Sequence, residues 1–126
     1  MLSQNTSVVP IPLHWYRFFK RRYNQSALLA AEISKLSGSR HVPDLLLRKR
    51  ATQSLDGMTR DQRFQILNQA ISANPRHSQK IEGSDILLVD DVMTSGATFA
   101  AATEACFASD ARSVSVVALA RVVKDA

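Results

Sequence analysis

Ile86-Leu87-Leu88-Val89-Asp90-Asp91-Val92-Met93-Thr94-Ser95-Gly96-Ala97-Thr98 decides how the rest of the chain is read. Four consecutive aliphatic residues make a strand covered on both faces. Two adjacent carboxylates end it. A short loop then leads into a helix over Thr98–Ser109, with Phe99, Ala102 and Cys106 on one stripe. In open parallel sheets, ligands bind beyond the carboxyl ends of the strands. A helix N-terminus adds unpaired N–H groups and the positive end of a dipole, both suited to a phosphate dianion. Gly96 lets the backbone approach such an anion, and the hydroxyls of Thr94, Ser95 and Thr98 can donate to it.

Asp90 and Asp91 would repel that phosphate if they faced it, so they face something else on the ligand: hydroxyls, a cation, or a carbon that becomes positive. A sugar phosphate carries both ends of this requirement. A carboxylate can accept from two ribose hydroxyls and stabilise an oxocarbenium-like transition state. Other readings of the segment fail on spacing. The phosphate loop of nucleoside triphosphatases needs a Gly-Lys pair, and the chain has none. The dinucleotide fingerprint needs three spaced glycines, and this segment has one. Receiver domains place most of their fold after the acidic pair, whereas 35 residues follow Asp91. The plain structural alternative makes Asp90 and Asp91 loop residues and Thr98 an N-cap.

Working outward, Ser7–Leu13 reads as a short strand stopped by its prolines, since Pro12 cannot donate to a ladder. Asn24 caps a helix from Gln25 to about Leu36, with Leu29, Ile33 and Leu36 as its apolar stripe, and Ser37-Gly38 stops it. Asp44–Leu47 is the expected second strand. Arg48–Thr59 lacks periodicity and reads as a mobile loop. A helix over Arg60–Ser72 rests on Phe64, Leu67 and Ile71; Asn74–Ser84 is connector, and Val114–Leu119 is the last strand. Strands alternating with helices predict an α/β fold, a parallel sheet flanked by helices, in one domain over residues 1–126.

The 126 residues suit one domain with a substantial core, and 45% hydrophobic content with four glycines and four prolines excludes disordered and fibrous classes. One cysteine, Cys106, excludes an intrachain disulfide framework; on its apolar stripe it reads as a buried, inert thiol. No apolar run nears the roughly 20 residues of a membrane span. MLSQNTSVVP lacks the pattern of a signal peptide, so a cytoplasmic domain with no membrane insertion is expected. Residues 1–84 carry thirteen Lys/Arg against five Asp/Glu, a net +8, while residues 85–126 carry three against six, a net −3. The excess gathers in Arg17–Arg22 and Arg48–Arg50, clusters that suit polyanions or a merely solvated face.

The thirteen residues from Ile86 to Thr98 resemble the phosphoribosyl-pyrophosphate (PRPP) motif of type I phosphoribosyltransferases at every position: four aliphatics, two acids, an aliphatic, a free position, two hydroxyls, Gly, a free position, a hydroxyl. From Val8 to about Val122 the chain is similar to the ComF competence branch of that family. Val9–His14, Arg21–Gln25 with Leu28-Leu29-Ala30, and Leu47–Thr52 carry this wider likeness. The branch usually has Gly at the position of Arg22 and Asn at that of Ile66. Its four-cysteine zinc module and leading helix have no counterpart here, so the resemblance implies an N-terminally shortened form.

The resemblance implies that Asp90 and Asp91 are catalytic and hold the ribose hydroxyls of PRPP. Val92, Met93, Thr94, Ser95, Gly96, Ala97 and Thr98 would cradle its 5-phosphate. Arg21 and Arg22 would meet the pyrophosphate, and Arg48, Lys49 and Arg50 would open a flexible loop over about residues 48–59 that excludes water. Magnesium (Mg2+) would arrive on the pyrophosphate, with no direct protein ligand. Phosphoribose would pass to an unidentified acceptor with inversion at the anomeric carbon. The rival is a non-catalytic competence domain binding single-stranded DNA, with PRPP as regulatory ligand or relic. Trp15, Phe18, Phe19 and Tyr23, interleaved with Arg17, Lys20, Arg21 and Arg22, suit base stacking or packing against helices. His14 is placed near the site, His41 and His77 in exposed connectors. The acceptor, the competence partners and the oligomeric state stay open.

Overall fold

The computed structural model describes residues 5–12, 25–48, 57–59, 61–62, 71–93 and 96–121, apart from the side chains at 92, 93, 97 and 121. Its elements in chain order are β1 (Thr6–Pro10), α1 (Gln25–Ser37), β2 (Arg40–His41), β3 (Leu46–Arg48) and β4 (Ile71–Ala73). A single 3-10 turn at Pro75–His77 follows, then α2 (Ser78–Ile81), β5 (Asp85–Met93), α3 (Ala97–Ala108) and β6 (Ser113–Arg121). Among the described residues no helix is long and apolar enough to cross a membrane.

Four strands form a parallel sheet in the order β2-β1-β5-β6. Side chains alternate across it, so Val8, Leu87 and Val89 face one side while Val9, Ile86 and Leu88 face the other. The first set packs on Leu29, Ala30 and Ile33 of α1. The second packs on Phe99, Ala101, Ala102 and Cys106 of α3. Chain direction explains the two layers. From β1 the chain passes through α1 to one neighbour, and from β5 through α3 to the other. Crossovers of one hand leaving in opposite directions put their helices on opposite faces. The point of reversal lies between β1 and β5.

The helix α1 buries small residues, Ser26, Ala30 and Ser34, at i, i+4 and i+8. That spacing lets the helix approach the sheet closely. The expected stripe is half right: Leu29 and Ile33 pack, but Leu36 points to water, 80% exposed. Ser34 Oγ donates to the Ser39 carbonyl, and Gly38, at φ +72°, returns its N–H to Ser34 O at 2.9 Å to end the helix.

Pro10 sits inside the sheet without cost. It shares the side of Val8, whose carbonyl accepts the Val42 N–H at 3.1 Å, but β2 is two residues long and its neighbourhood stops short of Pro10. The missing donor therefore falls where no acceptor waits.

Three expectations need correction. The second strand of the sheet is Arg40–His41 rather than Asp44–Leu47, and it carries His41, half-buried, into the sheet. Leu46–Arg48 pairs antiparallel with Ile71–Ala73 as a separate ribbon, Leu46 opposite Ala73 and Arg48 opposite Ile71. Ile71 and Ser72 thus leave the helix expected over Arg60–Ser72, of which positions 60 and 63–70 lie outside the described residues. Leu45, Leu46 and Ile71 join the α3-side core, and that burial outweighs the weak helical periodicity. The connector after Asn74 is helical in most of its length. Asn74 Nδ2 donates to the Asp44 carbonyl at 2.9 Å, its Oδ1 accepts the Arg76 N–H, and His77 Nε2 meets Asp44 Oδ1 at 2.8 Å. His77 is half-buried, and these bonds fasten the base of the ribbon.

Candidate functional site

The carboxyl ends of β1 and β5 meet at the reversal point, where open α/β sheets form their binding crevice. The β1 ladder closes with Ile11 N–H on the Val89 carbonyl at 2.8 Å. Asp90 is the next residue of β5, and among the described residues β6 alone accompanies it further, with Asp90 opposite Ala118 and Met93 opposite Arg121. Both aspartates therefore stand inside a strand that runs four residues past its apolar stretch, to Met93.

A residue that sequence reasoning passed over holds them. Ser26 Oγ, in the first turn of α1, donates to Asp90 Oδ1 at 2.8 Å and accepts the Asp91 N–H at 3.2 Å. Asp91 N–H also reaches Asp90 Oδ1 at 2.8 Å. Ser26 is 4% exposed. The signal available for it was the Ser26, Ala30, Ser34 spacing, which marks the closely packed face of α1. Burial pushes the Asp90 carboxyl above the usual aspartate range and Asp91 adds to the rise, while the Ser26 hydrogen bond pulls the other way. The positive end of the α1 dipole favours the charged form as well.

The start of α3 faces the same end of the sheet. Gly96 is its N-cap, at φ +81° and ψ 0°, and its carbonyl accepts the Ala100 N–H at 2.9 Å. A Cβ built on Gly96 meets no atom within 4 Å, so the left-handed backbone, and not crowding, demands glycine here. The N-cap is thus Gly96, two residues before Thr98, the expected helix start, which is half-buried inside the helix. Two helix N-termini, one at Ser26 and one at Gly96, flank the carboxylates. This pairing separates the charges: acids are tied to α1, and an anion can meet the amides of α3.

Of the other expected site residues, Val92 and Met93 continue the β5 backbone and Ala97 begins α3. Thr94, Ser95, Arg21, Arg22, Lys49 and Arg50 lie outside the described residues, as do His14 and the aromatic cluster from Trp15 to Tyr23. Arg48 is described as the last residue of β3. Its Nε donates to the Pro12 carbonyl at 3.1 Å. Cys106 is fully buried, and burial raises its thiol to about 12, which leaves it inert. Among the described residues no group of three or more His, Cys, Asp or Glu could hold a metal ion.

A family model for the phosphoribosyl transferase domain matches residues 25–125, from the first residue of α1 past the end of β6. The chain belongs to the phosphoribosyl transferase family. Competence protein F of Haemophilus influenzae is 29% identical over 92 residues, 73% of this chain and 40% of that protein. The DNA utilization protein YhgH of Escherichia coli K12 is 28% identical over 116 residues, 92% of this chain and 49% of its own length. This phosphoribosyl transferase chain spans no more than about half the length of these curated relatives, and with them it is a ComF-type, type I phosphoribosyltransferase-like protein. The solved structure of TT1426 from Thermus thermophilus superposes with a TM-score of 0.52 at 14% identity, covering 99% of this chain and 77% of that one. That likeness is one of fold.

Proposed function

We propose that this domain binds PRPP with magnesium and transfers its phosphoribose to an acceptor, releasing pyrophosphate. The observation that carries the reading is the pair Asp90–Asp91 at the β1/β5 reversal point, with the Gly96-capped start of α3 at the same end of the sheet. A 5-phosphate would sit on the α3 amides, with Thr98 nearby, and the ribose would span to the carboxylates. As the bond from C1 to pyrophosphate breaks, positive charge develops on the ring, and Asp90 and Asp91 stabilise it. A nucleophilic atom of the acceptor bonds to C1 from the opposite face, and the electron pair leaves with pyrophosphate. Magnesium would enter on the pyrophosphate. It would be held by phosphate and water oxygens, with no direct protein ligand. Arg21, Arg22, Lys49 and Arg50 would balance the leaving group.

The test is thermal. A ligand bound only by the folded state stabilises by RT ln(1 + [L]/Kd), about 2.7 kcal/mol at one hundred times Kd. Magnesium plus PRPP should raise Tm by roughly 8–13 °C, and ribose 5-phosphate by less. Asp90→Asn with Asp91→Asn should remove most pyrophosphate release while the fold persists. A folded protein with no PRPP-dependent shift at millimolar ligand would defeat the reading.

The names of the relatives, competence protein F and DNA utilization protein, favour a link to DNA uptake or use. In the second reading the domain is a non-catalytic accessory that binds single strands through the Arg17–Tyr23 cluster. Its affinity would then fall with salt by a slope of about −0.7 per phosphate neutralised, without pyrophosphate release.

A further inference from the structure

We propose that Ser26 is a positioning residue of the site: it locks Asp90 through Oδ1, so that Oδ2 is the oxygen left to accept from a ribose hydroxyl. The inference rests on the PRPP reading for the identity of the ligand, but the lock itself stands on geometry. Two hydrogen bonds of Asp90, from Ser26 Oγ and Asp91 N–H, converge on Oδ1. Ser26 Oγ in turn accepts Asp91 N–H, so the hydroxyl hydrogen is directed at Asp90 and the rotor is set. Ser26 is almost wholly buried and belongs to the small-residue face on which α1 rests against β1 and β5. The hydroxyl therefore cannot swing to water, and α1 and β5 are joined at the site itself.

The lock answers a specific difficulty. Two neighbouring carboxylates, partly withdrawn from water, tend to share a proton. Among the described residues, the titratable group acting on Asp90 is Asp91. The element α1 presents Ser26 to it, β6 presents Ala118, and β1 has ended at Pro10, none of which titrates. Ser26 is thus, among the described residues, the side chain that favours ionised Asp90. An alanine there would leave Oδ1 held by the Asp91 N–H alone and the carboxyl readier to take a proton.

The experiment uses Ser26→Ala, Ser26→Thr and, as a control, Ser34→Ala, which removes a buried hydroxyl from the same helix face without approaching Asp90. Carbon-13 NMR of the aspartate side chains follows the titration of Asp90 without ligand. Titration calorimetry with PRPP and magnesium then gives Kd against pH. Ser26→Ala should move the Asp90 midpoint upward and weaken PRPP binding by roughly tenfold or more, the scale of losing a hydrogen bond to a charged group. Weakening should be greatest at the acid end of the pH range. Ser26→Thr should restore both, and Ser34→Ala should change neither. An Asp90 midpoint unmoved in Ser26→Ala, or moved equally by Ser34→Ala, overturns the assignment. If the midpoint moves as expected but wild-type protein binds no PRPP, the lock is upheld and the ligand reading falls.

Discussion

Arg48 Nε donates to the carbonyl oxygen of Pro12 across 3.1 Å, joining the last residue of β3 to the chain just beyond β1. Pro12 lies past the end of the sheet ladder, so its carbonyl draws a partner from outside the sheet. The ribbon that brackets residues 49–70 is thereby fastened beside the site at one edge, while Asn74, Asp44 and His77 fasten its base. Through its Nε, Arg48 ties β3 to the chain beyond β1.

Arg48→Met keeps most of the side-chain stem and removes the donor. The expected loss is about 1 kcal/mol, the net value of one hydrogen bond, or a Tm lower by roughly 3–6 °C. Arg48→Lys should not restore it, because an ammonium lacks the guanidinium Nε at that point on the stem. Calorimetry of the three proteins decides; full rescue by lysine would show that only charge mattered.

Asp90 gives a pH signature in the ligand-free protein. Burial, with Asp91 beside it, makes the folded state hold the Asp90 proton more tightly than the unfolded chain does. Ionising this group therefore costs stability as pH rises through its folded pKa, and the cost is absent below the ordinary aspartate range. Asp90→Asn should raise Tm at neutral pH, since the amide oxygen can still accept from Ser26 and the Asp91 N–H. The gain should shrink as pH falls through the folded pKa of Asp90, and PRPP-dependent activity should be lost throughout. A Tm offset that does not vary with pH would contradict the assigned burial of the charge. A gain at neutral pH that fades toward acid would make the site an instance of stability given up for function.

Gly96 discriminates backbone strain from steric crowding. At φ +81° with open space around its missing Cβ, Gly96→Ala should cost about 1–2 kcal/mol. Asn tolerates the left-handed region, so Gly96→Asn should cost less than Gly96→Ala, and the β-branched Gly96→Val should cost more. Denaturant midpoints of the three variants give the order. Equal losses in Ala and Asn would point to contact with a neighbour instead.

Cys106 reports on global opening. Its thiol, raised to about 12 by burial against the sheet, should resist an aromatic disulfide reagent at pH near 8 and react only as the protein unfolds. The modification rate should rise with urea in parallel with the loss of circular dichroism. Rapid labelling of the native protein would mean that α3 detaches from Ile86 and Leu88 at low cost.

Local sequence determined much of this protein. An unbroken ILLV run could only be a covered strand, the prolines after Val9 could only end one, and Gly38 and Gly96 lie where left-handed turns bound helices. The order of acids, hydroxyls and glycine after that strand points to the candidate site, because a strand–loop–helix unit places its ligand end by chain direction alone. Other features were decided by contacts between residues far apart in the chain. Ser26 and Asp90 are 64 positions apart and Arg48 and Pro12 are 36, so no local pattern marks either pair. Ile71 fits a helical period, yet it pairs opposite Arg48 because a strand there buries it with Leu45 and Leu46. Arg40–His41 has too few residues to show alternation, and pairing with Ser7 and Val8 alone makes it a strand. Periodicity encodes which face of an element is apolar; which partner covers that face, and which polar groups meet at its edge, follow from how the layers close over one another.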